Sequence, residues 1–108
     1  MTKELFQAIS EWQKLTFGQA TAESKINHLR EEINELQFDI HVKAPEQNIR
    51  MEFADCFFLL FGAAAAHGLT YEDICQAIAD KFEINKKRIW GKPDKLGVVK
   101  HIDKPENF

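Results

Sequence analysis

The stretch that decides the fold is INHLREEINELQFDI (26–40). Ile26, Leu29, Ile33, Leu36 and Ile40 recur at threes and fours, the period of one buried helical face. Thr21 stands ahead of it as a cap, and the helix is expected to stop near Val42. The same segment carries Glu31, Glu32, Glu35 and Asp39, so a helix that should pack a core also bears a dense row of acids. A second conflict of this kind comes in EFADCFF (52–58), where Glu52 and Asp55 sit among apolar neighbours. Like charges on such helices are costly unless something offsets their repulsion.

Working outward, the spacing gives four helices and no strands. The first spans about 3 to 16, capped by Thr2, with Leu5, Ile9, Trp12 and Leu15 on one stripe and Phe17-Gly18 ending it. KAPEQN is a loop whose Pro45 suits the first turn of a third helix. That helix runs through the apolar stretch 53–66 to a C-terminal cap at His67 and Gly68. Thr70 and Asp73 have the spacing of a capping box for a fourth helix carrying Ile74, Ile78, Phe82 and Ile89. WGKPD breaks this helix, and an extended tail is expected from about residue 90, loose over DKPENF.

At 108 residues the chain fits one domain, 1–108, small enough that self-association would help it bury apolar surface. The apolar run 53–66 has fourteen residues, against the about 20 that a membrane span needs. A helix apolar on all sides is central to its own domain or covered by a partner subunit. The expectation is therefore an all-α four-helix bundle completed by homo-oligomerisation, as a homodimer or homotetramer, with no membrane partner. The N-terminus lacks a secretory pattern, and Cys56 and Cys75 lack metal or redox spacing, which together point to a cytoplasmic protein with packing cysteines.

The net charge of −3 conceals a division. Lys81 to Lys95 holds six basic residues against Glu83 and Asp94, a local +4, so the rest of the chain sums to −7. A basic segment facing an acidic metal site could hold a polyphosphate from both sides. Nucleic acid is not an expected partner, because the acidic remainder would repel a phosphate backbone.

Residues three or four apart share a helix face, so Glu32 pairs with Glu35, and Glu52 with Asp55. If the second and third helices pack antiparallel, the two pairs converge on one point. Asp55 is read as buried because Phe53, Ala54, Cys56, Phe57 and Phe58 surround it, and a buried carboxylate is rare unless paired or metal-bound. An oxygen-only set without His or Cys favours Mg²⁺, with Mn²⁺ as the alternative, over zinc. A di-iron bundle would need Glu-x-x-His pairs, and this chain has none.

The two acidic pairs, separated by sixteen residues, with LREEINEL and the C-terminal INKKRIWGKPDKLGVVKHI, resemble the MazG-like branch of the all-α nucleoside triphosphate pyrophosphohydrolases. Within it they are similar to a phage-associated dATP/dGTP diphosphohydrolase-like group, over roughly residues 10 to 103. The resemblance implies hydrolysis between the α and β phosphates of a nucleoside triphosphate, giving a monophosphate and pyrophosphate. It implies that Glu32, Glu35, Glu52 and Asp55 hold the metal. It also implies that Glu31 lies beside it to orient or deprotonate water, with Glu35 as a second catalytic carboxylate. Lys81, Asn85 and Arg88 share one face by spacing and match the family's phosphate-contacting residues, the alternative being a solvated basic face. His28 stands where many relatives carry Lys, and is either a phosphate contact or a simple helix-surface histidine. Trp12, with Phe17, is either core by spacing or a stacking surface for a nucleobase. Trp90 either closes over the site or docks on a partner chain. The alternative from another class is a noncatalytic helical dimerisation or binding module whose acids are surface decoration.

Overall fold

The computed structural model describes residues 1–18 and 20–102. Four helices account for most of them: α1 (Lys3–Phe17), α2 (Ala22–His41), α3 (Glu46–His67) and α4 (Tyr71–Lys87). Among the described residues there is no strand, only one isolated antiparallel bridge, Trp90 to His101. The all-α, four-helix reading therefore stands.

The helix ends are written in local chemistry. Thr2 Oγ1 accepts from Leu5 N at 3.1 Å to start α1, and Gly18, at φ 63°, returns its N–H to Lys14 O to end it. Thr21 and Ser24 exchange two hydrogen bonds across the first turn of α2. Pro45 is the residue that precedes α3, and Gly68, at φ 109°, closes it in the left-handed region. Thr70 and Asp73 form the capping box of α4: Asp73 Oδ2 accepts from Thr70 N at 2.9 Å, and Thr70 Oγ1 from Asp73 N at 3.1 Å.

The chain divides into two compact units, Met1–Ile74 and the remainder from Cys75. In the first, α2 packs extensively along α3, and α1 touches α3 over a smaller area. Phe6 anchors α1, edge-on to Phe61 at 6.3 Å and tilted on Tyr71 at 5.6 Å. Among the described residues only Phe6, Leu29 and Ala63 are buried hydrophobic side chains, and no large side chain is fully enclosed. No single described helix is long and apolar enough to cross a membrane.

Three expectations need correction. The buried stripe of α1 is not Leu5, Ile9, Trp12 and Leu15: Leu5, Trp12 and Leu15 are exposed, and Phe6 and Gln13 are buried instead. Gln13 tolerates burial because its Nε2 donates to Phe58 O at 3.0 Å. On α2, Leu29 is buried but Ile33 and Ile40 are exposed. The third correction concerns the C-terminal segment. The last turn of α4 ends at Lys87, so Ile89 lies beyond the helix, and the chain past residue 90 folds back rather than extending. Gly91 N donates to Lys100 O at 2.8 Å and Ile102 N to Ile89 O at 2.7 Å. The turn between them is held by Asp94, whose Oδ1 accepts from both Leu96 N and Val98 N at 2.9 Å. The stretch DKPENF lies outside the described residues.

Candidate active site

The carboxylates meet where α2 lies against α3. Glu32 feels Glu35 on its own helix and Asp55 across from it, while Glu52 feels Asp39, Glu35 and Glu32. The later Asp55 acting on the earlier Glu32, and the later Asp39 on the earlier Glu52, shows that the two helices run antiparallel, as the pairing argument requires. All four expected ligands thus share one electrostatic field.

That field is unfavourable to charge. Burial pushes the Glu32 carboxyl above its ordinary value, Glu35 and Asp55 add to the rise, and His28 opposes it. Glu52 is also raised, first by burial and then by a hydrogen bond to Asp39 and the charge of Asp39. Cys56 is drawn into the same surroundings: burial and then Glu32, Asp55 and Glu52 push its thiol up, so it stays protonated. Glu52 Oε2 is buried and has no hydrogen-bond partner. A buried carboxylate oxygen without a partner is costly, and a divalent cation would satisfy it. Hard oxygen donors of this set suit Mg²⁺ or Mn²⁺. Among the described residues, no three His, Cys, Asp or Glu side chains stand together as a ready-made metal cage. The fit to a cation therefore rests on the orphan oxygen and on the raised carboxyls.

His28 Nε2 stands 3.3 Å from Glu32 Oε1, one turn earlier on α2. Its ring faces the acids. Glu31 is exposed, next to Glu32 in the chain. Asp55 is exposed in this chain, contrary to the burial read from its neighbours, because α3 is apolar around its whole circumference and α1 and α2 cover only part of it. Trp12 is exposed and meets the edge of Phe17 at 5.5 Å. Sequence reasoning placed Asp39 in the acidic row four residues beyond Glu35 without giving it a role in the site, and gave none to Cys56, four residues beyond Glu52. That spacing was the signal available.

Lys81, Asn85 and Arg88 belong to the second unit. Each is partly buried, and Arg88 Nη1 donates to Asn85 Oδ1 at 3.3 Å, so the expected grouping on one face is present for that pair. Trp90 Nε1 donates to Asn85 O at 2.9 Å, which ties the indole to the end of α4.

The dATP/dGTP pyrophosphohydrolase family model matches residues 5–108, and the chain belongs to that family. It is 35% identical over 82 residues, 76% of its length, to a dATP/dGTP diphosphohydrolase of Salmonella phage PMBT28. The match covers 25% of that relative, so the chain spans about a quarter of its length. Among solved structures it is similar to the cyanophage S-2L MazG-like pyrophosphohydrolase, described with dGDP and three catalytic Mn²⁺ ions per active site. The TM-score is 0.72 and the identity 28%, over 95% of this chain and 99% of that one.

Proposed function

We propose that the chain is a divalent-metal-dependent nucleoside triphosphate pyrophosphohydrolase, cutting between the α and β phosphates to release a nucleoside monophosphate and pyrophosphate. The observation that carries this reading is the buried, partnerless Glu52 Oε2 within a group of mutually repelling carboxylates. Glu32, Glu35, Glu52 and Asp55 would hold Mg²⁺ or Mn²⁺; the ion, when bound, neutralises phosphate oxygens and lowers the pKa of a coordinated water. Glu31, next to Glu32 and open to solvent, and Glu35 would orient or accept a proton from attacking water. His28 would approach the phosphates from α2, and Lys81, Asn85 and Arg88 are the expected donors to the phosphate chain. Trp12, with its exposed ring, offers a stacking face for the base. The named relatives make purine deoxynucleotides the first substrates to try, in a cytoplasmic setting.

Self-association belongs to the same reading. Phe53, Phe57 and Phe58 of α3 and Leu5 of α1 all lie exposed, an apolar patch of the kind that marks an interaction surface. A second copy is the occupant that such an uncharged face fits, giving a dimer or tetramer.

The test is a panel of ribo- and deoxynucleoside triphosphates with Mg²⁺ or Mn²⁺, scored for pyrophosphate against orthophosphate. Pyrophosphate as first product, lost with Glu35→Gln while the helical spectrum persists, is the expected result. Orthophosphate as first product overturns the cleavage position, and turnover unchanged by Glu35→Gln overturns the ligand assignment.

A further inference from the structure

Lys25 is the one buried charged side chain among the described residues, at 8% exposed. Lysine is almost never enclosed to this degree unless paired. Among the described residues no carboxylate lies within ion-pair reach of its ammonium; its neighbour is the ring of Phe17, whose centroid is 5.5 Å away. The ring face is a weak cation partner and forms no hydrogen bond with the ammonium's three donors.

Lys25 lines a cavity of about 460 Å³ bounded by α1, the start of α2 and the end of α3. Ser10, Gln13, Lys14 and Thr21 also line it. Among the described residues its ionisable lining is two lysines with no acid, within a chain of net charge −3. The positive end of the α2 dipole opens at the same place, since Thr21 and Ala22 are part of the wall. Gln13 is fixed there by its bond to Phe58 O, so the wall is built rather than a gap between mobile side chains. The volume lies within the range of small-molecule sites, roughly 300–1,000 Å³.

We propose that this cavity is a binding site for a phosphate-class anion, separate from the carboxylate group and held chiefly by Lys25. Glu32 is seven residues further along α2, about 10 Å of helical rise. The two places have opposite electrostatic character. The carboxylates repel an anion unless a cation intervenes, whereas the Lys25 cavity attracts one without metal. The mechanism proposed above makes no use of Lys25, and the inference stands whether or not that mechanism holds.

The experiment is calorimetric titration of the full chain with inorganic pyrophosphate, and separately with orthophosphate, in EDTA. Binding is expected for the unaltered chain, weakened about 10-fold or more by Lys25→Met, as loss of a charge-assisted hydrogen bond implies. Lys25→Arg should restore most of it, and Asp55→Asn should leave it unchanged. Lys14→Met, on the exposed part of the wall, provides a variant that cannot disturb the core and should weaken binding several-fold. Absence of metal-free binding overturns the proposal. So does binding indifferent to both lysine changes, or binding altered mainly by Asp55→Asn, which would place the anion at the carboxylates.

Discussion

Gln13 and Gly62 occupy one another's space: a Cβ placed on Gly62 would lie 2.6 Å from Gln13 Oε1 and 3.0 Å from its Nε2. Gln13 cannot swing aside freely, because it is buried at 5% exposure and its Nε2 is bonded to Phe58 O. Gly62 is thus what lets α1 reach α3. Gly62→Ala should destabilise the chain by roughly 1–3 kcal/mol through overpacking. In a Gln13→Ala background the obstacle is gone, and the same change should stabilise by up to about 1 kcal/mol from helix propensity. Urea melts of the four proteins in this double-mutant cycle check the reversal of sign.

Glu52 gives a second prediction, in which stability and binding move in opposite directions. Glu52→Gln removes one charge from the repelling group and fills the partnerless oxygen's place with an amide that can donate. The metal-free protein should therefore melt higher at neutral pH, while Mn²⁺ affinity falls by at least about 10-fold. Asp39→Asn should also relieve Glu52, because Asp39 supplies both its hydrogen bond and the strongest of the like-charge repulsions on it. Thermal melts in EDTA and Mn²⁺ titration followed by electron paramagnetic resonance measure the two effects. A metal-free melt lowered by Glu52→Gln would remove the basis for the cation argument.

The helix boundaries were legible because each is marked by a local device: Thr2, the Thr21 segment, Gly68, and the Thr70–Asp73 box. The face each helix buries was less so. On α1, apolar spacing favours Leu5 and Trp12, but Gln13 wins a buried place through a carbonyl of α3, and no periodicity of α1 alone contains that partner. Asp55 was misjudged for a related reason: in a helix apolar on every side, oily neighbours say nothing about which side is covered. The return of the chain after Gly91 depends on one side chain, Asp94, holding two backbone N–H groups, with no alternating pattern to announce it. In the site, the pairs within a helix followed from spacing. The pairing of Asp39 with Glu52 needed the register between α2 and α3, which sequence periodicity leaves open.

Self-association should respond to a single charge on the bare aromatic face. Phe57 stacks on Phe61 at 6.2 Å and is 53% exposed, so Phe57→Lys leaves the intrachain contacts of Phe6 with Phe61 and Tyr71 in place while putting an ammonium at the centre of the face. Burying an unpaired charge across an interface costs several kcal/mol. Sedimentation velocity should show the unaltered chain as a dimer or tetramer and the variant shifted towards monomer. An unchanged sedimentation coefficient would mean that the face is covered by something other than a second copy.

The pH dependence of the metal-free protein has a definite sign. Glu32 and Glu52 both have carboxyls raised above their ordinary value of 4.5, so protons bind them more tightly folded than unfolded. Their contribution to stability is complete below about 4.5 and is lost as pH rises through the raised folded values. Asp73, lowered by its bonds to Thr70, contributes in the opposite sense: its stabilisation is present above its ordinary 3.8 and lost as pH falls through the lowered value. Comparing the unaltered chain with Glu32→Gln/Glu52→Gln, which keeps Asp73, isolates the first effect. In EDTA the double variant's melting temperature should overtake that of the unaltered chain as pH rises above 4.5, by a margin that widens towards neutrality. In saturating Mn²⁺ the order should reverse, because a bound cation favours the ionised carboxylates and stabilises only the state that holds it. Parallel pH series in the two buffers therefore test the cation's role through stability alone, with no reliance on turnover.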